Sequence, residues 1–307
     1  MQNILLYLIT VLIWGSTWLA IKFQLGVVSP ELSIAYRFGL AAIILLLYSL
    51  IRRLPLRFSW REHAFFVLQG FLLFSLNYIL VYVGELYIAS GLSAIIFSTI
   101  IIFNVLFGAI FLRNPVRMQV VMGAVLGFVG LVLIFWPDIS SFDLSSGVAM
   151  GMVLTFFGAI SASLGNIVSA RNQRHDLPVI QTNTFGMAYG AIFMMLLALF
   201  RNSPIVFEAT PGYIISLLFL AILGSVIAFG TYLTLLGRIG PDRAAYVTIL
   251  FPVIALTLST LFEGMTWSLP QLIGVAFVLL GNAIVVTNIR KLLSQFRGKH
   301  LQRLPDN

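Results

Sequence analysis

Few residues of this chain set polar chemistry inside long apolar surroundings. Arg37 lies about two helical turns into one apolar run, and Lys22 and Glu85 sit at the ends of two others. A charge at the centre of a membrane-spanning helix costs at least about 2.5–3.5 kcal/mol, so each such group needs a partner or a task. For Arg37 the two readings are contact with an anionic solute and fixed pairing, with a backbone carbonyl or with Glu85. Lys22, Arg37 and Glu85 together could form a gate or charge pair. Tyr78, Tyr82 and Glu85 recur at i, i+4 and i+7, which puts them on one helix face. That face reads as a polar cavity wall ending in an acid, or as interfacial tyrosines followed by a glutamate meeting water.

The stretch LIWGSTWLAIKFQ (12–24) holds a second group. Gly15, Ser16 and Thr17 could serve close helix packing. They could also mark a loosened helix whose hydroxyls face a cavity walled by Trp14 and Trp18. Asn166, after Ser161 and Ser163, occupies the corresponding region of a later run. Pro252 stands midway along an apolar run. Proline removes one backbone hydrogen bond and crowds the carbonyl four residues back, here Thr248. A helix opened at mid-depth points to a binding site or hinge, the alternative being a tolerated kink. Tyr232, Thr99 and Asn104 complete the candidates.

Catalytic chemistry finds little to work with. His63, His175 and His300 belong to no HExxH pattern, GxSxG and GxxxxGK[ST] are absent, and no apolar run holds a carboxylate pair. With no cysteine there is neither a disulfide nor a thiolate site. No cofactor or metal is expected.

The elements that must position these residues follow from composition. Of 307 residues, 60% are hydrophobic and 9% charged, with mean hydropathy +1.04, whereas soluble domains carry about 25% charged residues. Apolar runs of about 20 residues read as membrane helices. Charges and turn residues divide the chain into ten spans, near 3–22, 31–51, 63–84, 88–112, 118–136, 146–170, 178–200, 211–236, 243–262 and 268–289. The first follows only three residues and no small-residue cleavage site comes after it, so it reads as a retained helix. With the N-terminus in the cytoplasm, fifteen of the 18 basic residues fall inside, among them Arg52, Arg53, Arg57, Arg61, Arg113, Arg117, Arg171, Arg174, Arg238 and Arg243. The others inside are Arg290, Lys291, Arg297, Lys299 and Arg303 of the tail. Only Lys22 and Arg201 fall outside. The bias predicts both termini inside and explains the net charge of +8 without nucleic acid.

Residues 90–130 align on 241–281 at a constant offset of 151, which matches Gly123 with Gly274 and Gly130 with Gly281. Arg37–Gly39 matches Thr184–Gly186 at offset 147. Spans 1–5 therefore repeat as spans 6–10, and an odd span number inverts the second copy. The expected division is 1–140, 141–290 and a basic cytoplasmic tail 291–307. GxxxG pairs at Gly123/Gly127, Gly147/Gly151 and Gly186/Gly190 are expected to pack helices within the fold.

IWGSTWLAIK (13–22), SP at 29–30, YRFGLAA (36–42), YIASGLSA (87–94), ILFPVIALTLSTLFEG (249–264) and PQLIGVAFVLLGNAIVV (270–286) resemble, in order and spacing, the drug/metabolite transporter superfamily of EamA type. The resemblance implies ten helices in two inverted five-helix halves around a central cavity, with helices 5 and 10 peripheral and transport by alternating access. Members export amino acids, metabolites or drugs, or exchange sugar-linked nucleotides and phosphorylated sugars. Two features depart from the pattern. The Gly-Glu that often closes helices 4 and 9 is Arg113–Asn114 in the first half and Gly264–Met265 in the second, with Glu263 displaced. The proline expected in helix 4 is Ile101, while helix 9 keeps Pro252.

The reading is an all-α polytopic membrane protein, a secondary transporter of a small organic metabolite, amino acid or drug-like solute. The resemblance adds export and a bacterial inner membrane. An intramembrane lipid-modifying enzyme would need a catalytic constellation at one leaflet boundary, and a channel would need a continuous polar helix stripe. The sequence specifies neither the coupling, whether proton, counter-solute or none, nor the oligomeric state.

Overall fold

The computed structural model describes residues 2–113, 118–140, 147–239 and 247–286. Helices joined by short irregular connections account for the described residues, with no strand among them. In chain order these are α1 (Gln2–Lys22), α2 (Pro30–Ile51), α3 (Trp60–Gly84), α4 (Ser90–Leu112), α5 (Met118–Ser140), α6 (Gly147–Arg174) and α7 (Val179–Phe200). Next come α8 (Pro211–Leu218, Phe219–Ile227 and Ala228–Ile239 in succession), α9 (Val247–Phe262) and α10 (Leu269–Val286). Seven of them, α1 to α4 and α6 to α8, are long and apolar enough to cross a membrane, and α5, α9 and α10 contain shorter apolar helices. Asn114, Arg117, Arg243, His300 and the tail 291–307 lie outside the described residues.

Local chemistry sets the helix ends. Pro30 and Pro211 occupy first turns, where a missing N–H costs nothing. Ser59 and Glu62 form a reciprocal capping box at the start of α3. Arg113, the residue standing where a glycine often closes helix 4, takes the left-handed conformation itself (φ 56°). Gly264, 151 residues on, does the same at φ 65°. The ends of α2 and α7 match as well. Arg53 and Asn202 are left-handed, and Leu54 N–H donates to Ser49 O as Ser203 N–H does to Ala198 O.

The repeat is most visible where α5 packs on α10. A Cβ added at Gly281 would stand 2.6 Å from Gly123 O, and one added at Gly130 would stand 2.6 Å from Gly274 O. Shifting the first pair by 151 residues exchanges it with the second, as a two-fold axis between the helices requires. The other glycine pairs also pack within the fold, Gly147 and Gly151 on Tyr87 and Gly84, and Gly186 and Gly190 on Phe74.

Both third helices of the halves widen. Leu72–Leu76 in α3 and Phe219–Ile227 in α8 are π-helical, and an offset of 151 carries the first into the second. In each, a serine donates to the carbonyl five residues back: Ser75 to Gly70 O and Ser225 to Leu220 O, both at 2.9 Å. π-helical turns inside α-helices are frequent at functional sites. The fourth helices differ. α4 breaks at Ser98–Thr99 between Ser90–Phe97 and Ile100–Leu112, whereas α9 runs unbroken through Pro252.

Candidate functional site

The repeat offset selects the cavity wall. Phe97 and Ile100 of α4 correspond to Thr248 and Phe251 of α9, and Tyr78 and Val81 of α3 to Phe229 and Tyr232 of α8. All eight line one central cavity. Trp14, Thr17, Trp18 and Ile21 give it one face of α1, Ala162 and Asn166 give it α6, and Arg37, Leu73 and Asn77 complete it. The space between these side chains is about 710 Å³, counted out to the open mouth. Its wall is aromatic. Trp14 packs on Phe229 at 5.2 Å and Tyr232 at 4.9 Å between ring centroids, and Trp18 on Phe97 at 5.2 Å and Phe251 at 5.8 Å.

Arg37 is the one charged residue of the wall among the described residues and is 1% exposed. Its Nε donates to Ser225 Oγ at 3.1 Å, and its Nη atoms make long contacts to the Tyr82 and Tyr78 hydroxyls at 3.4 and 3.5 Å. The guanidinium carbon lies 4.7 Å from the Tyr78 ring centre and 5.2 Å from that of Phe38. The α8 π segment creates this seat: it presents Ser225, and a Cβ at Gly224 would come within 3.3 Å of Nη2. No carboxylate pairs with Arg37 among the described residues. The guanidinium is therefore held by neutral oxygens and ring faces, and a solute anion could supply the missing charge.

The other expected residues divide. Trp14, Thr17, Tyr78, Asn166, Tyr232 and Thr248 line the cavity. Trp14 Nε1 donates to Gly224 O at 3.3 Å. Asn104 stands behind the wall, its Oδ1 accepting from Asn166 Nδ2 at 3.3 Å and Ser163 Oγ at 2.9 Å. Ser16 and Thr99 turn their hydroxyls onto their own helices, Ser16 to Leu12 O and Thr99 to Ile96 O. The loosened-helix reading of Gly15–Thr17 does not hold. α1 is continuous, and Gly15 packs directly on Ile254. Pro252 is buried and absent from the wall, although Thr248 and Phe251 on either side of it contribute.

The Arg37–Glu85 pair does not form either. Tyr82 lies between them in sequence and takes Arg37, while Glu85 is fully buried away from the cavity. Lys22 instead pairs with Glu263 at 3.8 Å and donates to the carbonyls of Glu85 and, at 2.6 Å, Ile88. Glu263 also accepts from Ser90 N–H at 3.2 Å and from Ser90 Oγ. One carboxylate thus ties the end of α9 to the ends of α1 and α4. A second tie joins α2 to the loop after α7, through Glu31 with Ser203 and Arg201.

Asn77, Phe97, Ile100, Phe229 and Phe251 were not singled out from sequence. Asn77 had a signal, an amide in an apolar run beside Tyr78. The apolar residues had only their offset of 151 from other wall residues, Phe97 from Thr248, Ile100 from Phe251 and Phe229 from Tyr78.

Among the described residues, Arg52, Arg53, Arg57, Arg61, Arg113, Arg171 and Arg174 close or follow α2, α4 and α6 or open α3, at the opposite end of the bundle from Lys22 and Arg201. Arg171 covers the Phe65 ring at 3.5 Å, and Arg174 donates to Leu112 O.

The EamA-like transporter family model matches residues 1–136 and 149–287. An "uncharacterized transporter" of Archaeoglobus fulgidus is 26% identical over 295 residues, covering 93% of this chain and 99% of its own. The "uncharacterized inner membrane transporter YedA" of Escherichia coli (strain K12) is 26% identical over 286 residues, covering 92% and 89%. A solved structure titled "Crystal structure of protein" superposes with a TM-score of 0.66 at 20% identity, covering 92% of this chain and 96% of that one. That likeness is one of fold.

Proposed function

This chain belongs to the EamA-like transporter family, and on that premise we propose that it is an alternating-access exporter of a small organic solute. The observation that carries this reading is the cavity built from repeat-equivalent positions of α3/α8 and α4/α9. Inverted-repeat transporters place the solute where the halves meet and expose it by rocking one against the other.

One end of the bundle is tied in this conformation. Gly91 of α4 packs on Leu256 and Ser259 of α9, and the Lys22–Glu263–Ser90 contacts close over them. Opening the cavity at that end requires Glu263 to leave. The wall suits a solute with an apolar or aromatic body and an anionic group, the rings taking the body and Arg37 the charge.

The setting is a bacterial inner membrane, with both termini in the cytoplasm and the Lys22 end outside. The basic residues at the far end of the bundle support that orientation. A proteoliposome uptake screen across amino acids, organic acids and hydrophobic cations tests the function. Aromatic or aliphatic carboxylates should be carried, and transport confined to hydrophobic cations would overturn the role of Arg37. Single cysteines at Ser59 and Ala209 test the orientation, since the chain has none of its own. Ala209→Cys should label in intact cells and Ser59→Cys only after permeabilisation.

A further inference from the structure

Glu85 takes no part in the cavity, yet it is the most confined acid among the described residues. It is 0% exposed, and both carboxylate oxygens lack a hydrogen-bond partner. An ionised carboxylate in such a place forfeits its hydration without compensation, which buried charges avoid by pairing or by taking up a proton.

The surrounding groups explain why no partner reaches it. Lys22 of α1 is close enough to act on Glu85, as are Glu263 at the end of α9 and Arg37 of α2. Lys22 spends its donors on two carbonyls and its charge on Glu263. Arg37 is seated on Ser225, Tyr82 and Tyr78. From α6, Gly151 and Thr155 press on the neighbouring Gly84 and carry no charge. On the helix it caps, Tyr82 is directed to Arg37 and Gln24, and Tyr87, two residues on, packs against Gly147. Glu263 therefore holds the cation that Glu85 would otherwise use.

We propose that Glu85 is a proton-binding site linked to closure of the Lys22 end: protonated while Glu263 holds Lys22, ionised and paired with Lys22 once the end opens. In the closed form the proton stays on the carboxyl, and no charge is buried alone. When α9 withdraws Glu263, Lys22 is released and water enters. The O–H bond then breaks, its electron pair stays on the carboxylate, and the proton leaves to solvent on that side. This rests on the transporter reading only in requiring that the end opens. It makes the proton the solute to which opening is coupled.

Linkage fixes the sign. A site that binds its proton more tightly in the closed form favours closure at low pH and loses that bias as pH rises. For one proton the closed-to-open ratio falls by at most about tenfold per pH unit between the two affinities, and is level outside them.

The test uses the full chain in nanodiscs with spin labels on Leu86→Cys and Thr266→Cys, exposed positions on either side of the tie. Distances measured by pulsed electron resonance between pH 5 and 9 should lengthen as pH rises. In the same pair carrying Glu85→Gln, a neutral stand-in for the protonated acid, the short distance should persist at every pH. Retention of the wild-type pH dependence by Glu85→Gln would overturn the proposal. So would a wild-type distance that ignores pH, which needs no Glu85 variant to fold. Neither readout requires a transported solute. A negative result here leaves the uptake screen standing, and a failed screen leaves the pH titration interpretable.

Discussion

α4 and α9 occupy equivalent places in the two halves, yet only α4 is broken. α9 carries a proline at position 252 and stays a single helix. α4 has Ile101 at the equivalent position and breaks three residues earlier, with no proline or glycine at the break. The Ser98 and Thr99 hydroxyls donate to Ile95 O at 2.6 Å and Ile96 O at 2.7 Å, offering those carbonyls an alternative to the helical ladder. Asn282 of α10 then donates to Ser98 Oγ at 2.9 Å and holds the break from the other half. The residue equivalent to Asn282 is Leu131. The break thus falls in the half that lacks the proline, and a polar side chain of α10 stabilises its irregular turn. The asymmetry extends to charge: Lys22, Arg37 and Glu85 all belong to the first half, and the second supplies Glu263 and Ser225 to meet them.

The largest effect should come from that charge asymmetry. Arg37→Met removes a charged donor from the wall. Charged hydrogen bonds contribute about 1.5–3 kcal/mol, so apparent affinity for an anionic solute should fall by roughly 10- to 150-fold. Thr184, its repeat equivalent, turns its hydroxyl onto Ile180 O at 2.7 Å, and Thr184→Val should change affinity by less than about threefold. Comparable losses from both would mean that the halves share the site equally.

The peripheral pair α5/α10 should behave in the opposite way, as a symmetric unit. Gly130→Val and Gly281→Val each push a side chain to within 2.6 Å of a facing carbonyl. Overpacking of this kind costs about 1–3 kcal/mol. Melting temperatures in detergent should fall by similar amounts for both. A large inequality would show that the two-fold relation between the glycine contacts has no energetic meaning.

Asn282→Leu tests the break itself, because it gives α10 the residue that α5 already has. It removes one neutral hydrogen bond, about 1 kcal/mol, and leaves Ser98 to rejoin a regular helix. Transport should slow by about fivefold, the factor to which 1 kcal/mol corresponds, with little change in thermal stability. Unaltered transport would make the break incidental.

The helical architecture and its duplication were legible in the sequence because hydropathy and a constant offset record them directly. Seven of the expected site residues line the cavity for a similar reason: an amide, a hydroxyl, an indole or a guanidinium inside an apolar run has few other uses. What sequence did not disclose depends on distant partners. The π segments of α3 and α8 need no special residue, since one extra residue in the ladder suffices. The α4 break depends on Asn282, 184 residues away. Glu85 was expected to meet Arg37, its neighbour in depth, because no local signal placed Glu263 on Lys22.

Pro252→Ala should have the smallest effect, and its size measures how far the halves have diverged. If proline opened α9 as the hydroxyls break α4, alanine would close the helix and stop transport. α9 is already continuous, and Pro252 itself does not face the cavity. Alanine restores a donor and suits a helix interior, so folding should survive. Thr248 and Phe251 sit within one turn of it, so a slight change of helix curvature should still move the wall and slow transport by about two- to threefold. The converse change, Ile101→Pro, sharpens the point. Proline inside a regular helix costs about 3 kcal/mol or more. Here the Ile101 N–H reaches Ser98 O only at 3.3 Å, just past an existing break, so the stability loss should be clearly smaller. If Pro252→Ala abolishes transport while Ile101→Pro unfolds the protein, the two helices are not equivalent devices, and the hinge lies in α9 rather than at Ser98–Thr99.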